Sequence, residues 1–269
     1  MLYKTIIKNE SVLLNSIYLI FKESKMGKKI FIIILFLLFS TITGCKDDQD
    51  KNQIVKPTAM NSLYLSLIQR HESQLKDSSQ LIVVKNNEAS LIITEMDVLE
   101  KKDGNWVFLF EKIPSGIGKK GFAMIDEKKE GDKKTPSGIY PLSLVFGYDE
   151  KTETKMPYRQ ATENDFWVDD VDSEFYNQWV RGVPDAKSYE KMKRNDHQYK
   201  YGIVVQYNEN PVVKGKGSAI FMHIWREQGA GSAGCITMNE ETILKIIRWL
   251  DPAKKPHIIL GTEEILKNL

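Results

Sequence analysis

The stretch that constrains this chain most runs from Gly217 to Met238, reading G-S-A-I-F-M-H-I-W-R-E-Q-G-A-G-S-A-G-C-I-T-M. Ala219 to Met222 is an apolar run of β character that ends on His223, and Cys235 follows a return containing Gly229, Gly231 and Gly234. Glycine lets the backbone turn through φ > 0 and brings amide groups close to a ligand. An imidazole on one strand and a thiol on the next is the arrangement this pattern expects. A free thiol, with a pKa near ~8.5, is mostly protonated at neutral pH. A neighbouring imidazole can take that proton and later return it to a leaving amine. Ser232, Ala233 and Gly234 add little bulk, so the amides of this turn are candidates to face a developing oxyanion. The same residues also allow a plainer reading, a buried structural cysteine beside a satisfied strand-end histidine.

The chain around this stretch reads as strands followed by one helix. Leu81 to Val84, Leu91 to Met96 and Trp106 to Phe110 are short β-type runs separated by the turn formers Asn86-Asn87 and Asp103-Gly104. Further strands are expected at Ile139 to Leu142, Tyr201 to Tyr207 and His257 to Leu260. After Cys235, Asn239 is a good N-cap, Glu240 and Glu241 suit a first helical turn, and Ile243, Ile246, Ile247 and Leu250 make an apolar stripe. Asp251-Pro252 stops that helix. The class is α+β, mainly β. Gly116 to Gly121 matches G-x-G-x-x-G, but no helix of adequate length follows, so no nucleotide site is expected there. Nothing in the pattern calls for a cofactor, and no ligand set with metal spacing accompanies Cys235 and His223.

Several separated motifs give the central stretch a family. With His223 and Ser232-Ala233-Gly234-Cys235 stand Lys133 to Leu142 (K-K-T-P-S-G-I-Y-P-L), Phe146 to Tyr148 (F-G-Y), Trp167 to Asp170 (W-V-D-D), Phe175 to Asn177 (F-Y-N) and Tyr207 to His223. In this order they resemble the L,D-transpeptidase catalytic domain (YkuD-type), over roughly residues 80 to 262. The resemblance implies a β-sandwich with a helix packed after Cys235. Cys235 would be the nucleophile and His223 its base, acting on peptidoglycan stem peptides. The best-known branch has His where this chain has Ala233, and Arg or Asn where it has Thr237. The chain resembles the other branch, which has a shorter loop and reads A-G-C or E-G-C. The resemblance thus implies a peptidoglycan L,D-transpeptidase working through a thioester. An L,D-carboxypeptidase or amidase with the same pair, or a non-catalytic wall-binding lipoprotein, is the alternative. Residues 156 to 194, rich in Tyr, Trp, Asp and Asn, read as a long loop or lid, and Trp167, Asp169, Asp170, Tyr176 and Asn177 are candidates to line a glycan-peptide groove. Tyr158 and Trp225 join them as candidate substrate contacts.

The N-terminal part reads as a targeting segment. Met26-Gly-Lys-Lys precedes ten apolar residues, Ile30 to Phe39. As a helix these span about 15 Å, half of a bilayer core, which suits a signal peptide over residues 1–44 that starts at Met26. Ile42-Thr43-Gly44-Cys45 resembles a bacterial lipobox, implying cleavage before Cys45 and a lipid on its sulfur. Lipidation would leave Cys235 the one free thiol, in an envelope compartment where a structural pair would have oxidised. Lys46-Asp47-Asp48 resembles a surface-export signal of Bacteroidota lipoproteins. The expected location is therefore the cell envelope, anchored at the outer membrane or in the periplasm, with surface exposure as an option. Residues 45–79 read as a tether, with a helix packed on the domain as the alternative, and residues 263–269 as a tail. Removing residues 1–44 takes six lysines and two glutamates from 38 basic and 36 acidic side chains, leaving a nearly neutral protein with no basic face for nucleic acid. Oligomeric state is not legible.

Overall fold

The computed structural model describes residues 62–269. The expectations for Met26, for residues 1–44, for Cys45 and for the first part of the tether lie outside the described residues. From Gln80 onward the chain is a nine-stranded sheet in the order β12-β1-β2-β3-β11-β10-β9-β4-β5. The strands are β1 Gln80–Asn86, β2 Ile93–Lys102, β3 Asn105–Gly116, β4 Gly138–Gly147, β5 Tyr158–Gln160, β9 Tyr201–Val205, β10 Phe221–Ile224, β11 Ile236–Met238 and β12 His257–Thr262. The first half of β4 pairs with β12 and its second half with β9, so eight strands close on themselves and both layers of the expected sandwich belong to one sheet. The β2–β3 hairpin turns at Asp103 and Gly104, with φ of 48° and 80°, the two positive angles that a two-residue hairpin turn needs.

Strand periodicity decides what lies on each side of the sheet. Ile82, Val84, Ile203, Val205, Met222, Ile236, Met238, Ile258 and Leu260 fill the interior. The helix α3, Glu240–Trp249, joins them with Ile243, Ile246, Ile247 and Leu250, and the Asn239 side chain caps it by accepting from the Thr242 amide at 2.7 Å. The residues between point outward. On one flank Leu81, Val83 and Ile259 meet the helices α1 (Ser62–Arg70) and α2 (Glu72–Leu75), together with α4 (Glu263–Asn268). On the opposite flank Val204 and Phe221 are covered by a three-stranded sheet, β7 (Trp179–Arg181), β6 (Asp165–Val168) and β8 (Tyr189–Lys191).

Two segments differ from the main expectation. Residues 62–75 are not free tether but packed helix, because Tyr64, Leu67 and Leu75 are buried and the Tyr64 hydroxyl donates to the buried Asp97 carboxylate. Residues 263–269 are likewise no loose tail: Thr262 caps α4, and Ile265 and Leu266 are buried. The region 156–194, expected as a loop or lid, carries β5 to β8 and is pinned by Asp165. That fully buried carboxylate accepts from Thr162, Trp179, Arg159 and Arg181. Burial alone would raise its pKa, but the hydrogen bonds from Arg181, Thr162 and Trp179 hold it well below the usual carboxylate range.

Candidate active site

The parallel pairing of β10 with β11 sets Met222 beside Ile236 and His223 beside Thr237. Cys235 immediately precedes β11, so its side chain and that of His223 both leave the outer face, toward the three-stranded sheet. Both line one pocket of about 380 Å³. The sulfur is buried and unpaired. It accepts from the Phe221 amide at 3.4 Å and donates to the Ala219 carbonyl at 3.2 Å. The His223 ring is also buried; its Nδ1 lies 2.8 Å from the Ile224 carbonyl, and the ring packs T-shaped against Tyr199 with centroids 5.0 Å apart. Donation from Nδ1 to that carbonyl fixes the tautomer in which Nε2 is the basic nitrogen. Burial pushes the Cys235 thiol up to about 12 and His223 down to about 4, the Ile224 carbonyl offsetting only part of the second shift. At rest the pair is thiol and neutral imidazole, with the S–H donating to the Ala219 carbonyl rather than to His223.

The turn before Cys235 is built from outside itself. Thr135, in the T-P-S-G element, accepts from the Gly118 amide at 2.9 Å and donates to the Gly234 carbonyl at 2.7 Å. Gly231 lies so close to Lys119 that an added Cβ would sit 2.5 Å from its Cα. Gly234, at φ +155°, faces the Lys134 carbonyl in the same way, at 2.9 Å. The turn's amides depart from expectation. The Gly234 amide donates to the Ser232 hydroxyl at 3.0 Å, and that of Ser232 to the Ile117 carbonyl at 2.9 Å. Both are therefore taken, which leaves the amides of Ala233 and Cys235 as the candidates within Ser232–Cys235 to meet an oxyanion.

A family model, the L,D-transpeptidase catalytic domain (YkuD), matches residues 80–259. The chain belongs to this family. Comparison with curated proteins and with solved structures gave no match. L,D-transpeptidase domains are cell-wall enzymes that act on peptidoglycan stem peptides, and the mainly β architecture with α3 packed directly after the cysteine agrees with that membership.

Within this L,D-transpeptidase domain the expected substrate contacts turn out to be mostly scaffold. Trp167 donates to the Asn177 side chain at 2.9 Å; Asn177 accepts from the Ala219 amide at 3.0 Å and donates to the Tyr207 and Asn208 carbonyls. These bonds hold Ala219 at φ +53°, a conformation costly for a residue with a Cβ, directly under the sulfur. Trp167 and Asn177 thus shape the site from behind. Asp170 closes a turn by accepting from the amides of Asp172 and Lys187, and Tyr176 joins Glu130 to the Gly217 amide. Tyr158 donates to the Asp149 carbonyl at 2.5 Å, and Trp225 hydrogen-bonds through its amide to Met238. Of these candidates only Asp169 lines the Cys235 pocket. The residues that join it in the wall, Glu130, Glu190, Arg194, Tyr199 and Lys128, come from separate segments and were missed. No spacing in the sequence links them.

Proposed function

We propose that this protein is a cysteine-dependent peptidoglycan L,D-transpeptidase, with Cys235 as nucleophile and His223 as its base and then its acid. The observation that carries the reading is that thiol and imidazole leave the same face of adjacent strands and line one pocket. On binding, Nε2 of His223 takes the thiol proton as sulfur attacks the carbonyl of the third, L-centred residue of a stem. The S–C bond forms, the C–N bond breaks, and the proton passes from His223 to the departing D-alanine amine. The side-chain amine of a second stem then attacks the thioester and returns a proton through His223 to sulfur, giving a cross-link. Because the pair is neutral at rest, the thiolate forms during attack and not before it. The Ala233 and Cys235 amides face the developing oxyanion, a contribution on the order of 3 kcal/mol per donor in other acyl transfers.

Lipidation at Cys45 would hold the domain in the cell envelope beside its polymer. Incubating the purified chain with muropeptides and reading the products by mass spectrometry tests the reaction. Cross-linked dimers support transfer. Shortened stems replace it with a carboxypeptidase or amidase, and bound but unchanged stems with a wall-binding module.

A further inference from the structure

The charges in the wall of the Cys235 pocket are unevenly partnered. Two of its four cations, Lys119 and Lys133, are exposed side chains, and the two enclosed ones are committed to acids elsewhere: Lys128 to Asp132 at 2.7 Å, and Arg194 to Asp196 through two bonds of 2.9 and 2.5 Å. The three carboxyl groups of the wall have only neutral donors. Glu130 accepts at 2.7 Å from both the Tyr176 and the Ser218 hydroxyls, Glu190 accepts from the Tyr199 hydroxyl, and the enclosed Oδ1 of Asp169 has no hydrogen-bond partner. A carboxylate offers about four acceptor positions, so Asp169 and Glu190 hold unfilled capacity beside the sulfur. Enclosed acceptors without donors are costly unless a ligand supplies them. Among the described residues no three His, Cys, Asp or Glu groups converge closely enough to hold a metal ion, which favours a donor-rich organic cation.

We propose that Asp169 and Glu190 seat a primary ammonium group of the ligand beside Cys235, and so select among the stem peptides that the proposed reaction uses. The inference rests on that reading for the identity of the ligand. Burial raises both carboxyls, and Glu190 in turn raises the Cys235 thiol, so an ammonium in this seat also relieves the negative field on the sulfur. Tyr199 links the two functions, its ring against His223 and its hydroxyl on Glu190. The side-chain amine of a diamino acid at the third position carries this chemistry in a stem, and in a free peptide the N-terminal amine carries it as well.

The test uses the full chain carrying Cys235→Ala, which binds without turnover, and calorimetry with a free stem tetrapeptide, its two singly acetylated forms and the doubly acetylated one. The free peptide should bind at least about 10-fold more tightly than the doubly acetylated form, the value of one charged hydrogen bond. The single acetylation that removes the preference identifies the amine. Adding Glu190→Gln, which keeps an acceptor for Tyr199, or Asp169→Asn should shrink the preference below about 3-fold and leave the affinity for the doubly acetylated peptide unchanged. Equal affinity for all four peptides, or a preference that survives both substitutions, overturns the proposal. Turnover by the wild-type chain is read separately. Turnover without amine preference sinks only the ammonium seat, whereas preference without turnover sinks only the transpeptidase reaction.

Discussion

Thr135→Val is the perturbation whose consequence can be worked most directly from the structure. The side chain is fully buried, and its hydroxyl links the Gly118 amide to the Gly234 carbonyl, across 17 and 99 residues of sequence. Valine fills the same volume, so the change removes the hydroxyl and little else. Two backbone groups are left without partners, each costing about 1–3 kcal/mol. Allowing for some relaxation, the loss is about 3 kcal/mol. For a domain of this size each kcal/mol moves Tm by about 2–4 °C, so thermal unfolding followed by circular dichroism should shift down by about 6–12 °C. Gly234 adjoins the candidate nucleophile, so turnover measured well below the melting temperature should fall by about 10-fold or more through misplacement of the sulfur. Thr135→Ser retains the hydroxyl and should recover most of both losses. A valine variant that melts within about 1 °C of wild type with unchanged turnover refutes the claim that the T-P-S-G element holds the turn before Cys235.

Four further outcomes follow from other parts of the molecule. His223→Ala should lower turnover by about two to four powers of ten with the fold retained. In the wild type the His223 pKa lies at about 4, below the value of 6.5 for an unperturbed ring. Its contribution to stability is therefore complete above about pH 6.5 and is lost as the pH falls through 4, a slope that thermal melts of His223→Gln should lack. Gly202→Ala places a methyl group 2.1 Å from the ring of Phe146, and should cost about 1–3 kcal/mol in chemical denaturation while displacing the aromatic cluster of Phe146, Tyr199 and Phe221. Asp165→Asn removes the charge that gathers Trp179, Thr162 and two arginines. Because both arginines reach solvent, the expected cost is about 2–3 kcal/mol, read as faster proteolysis within 156–194.

Local patterns carried the framework. Short continuous apolar runs placed β1, β9 and β12, and the Asn239 cap with its apolar stripe placed α3, because each of these signals lies within a few residues of sequence. The juxtaposition of Cys235 and His223 was legible for the same reason, since the eleven residues between them, with three glycines, return the chain to a neighbouring strand. The rest depends on distant partners. The Tyr64–Asp97 bond that docks α1 spans 33 residues, and the leucines around Tyr64 suggested no such anchor; Leu65 is in fact half exposed. In 156–194 the aromatic and amide side chains looked like ligand contacts because nothing in sequence showed that they would satisfy one another. Of the acidic pocket wall, Asp169 was legible, whereas Glu130 and Glu190 come from segments that no spacing in the sequence links to it.

The most direct measurement is intact-protein mass spectrometry of the chain quenched in acid during turnover of a stem tetrapeptide, followed by peptide mapping. The account predicts an added mass equal to the stem less its terminal D-alanine, carried on Cys235, absent in Cys235→Ala and discharged by an amine acceptor. Turnover with no covalent species, or a species mapped to any residue other than Cys235, contradicts it.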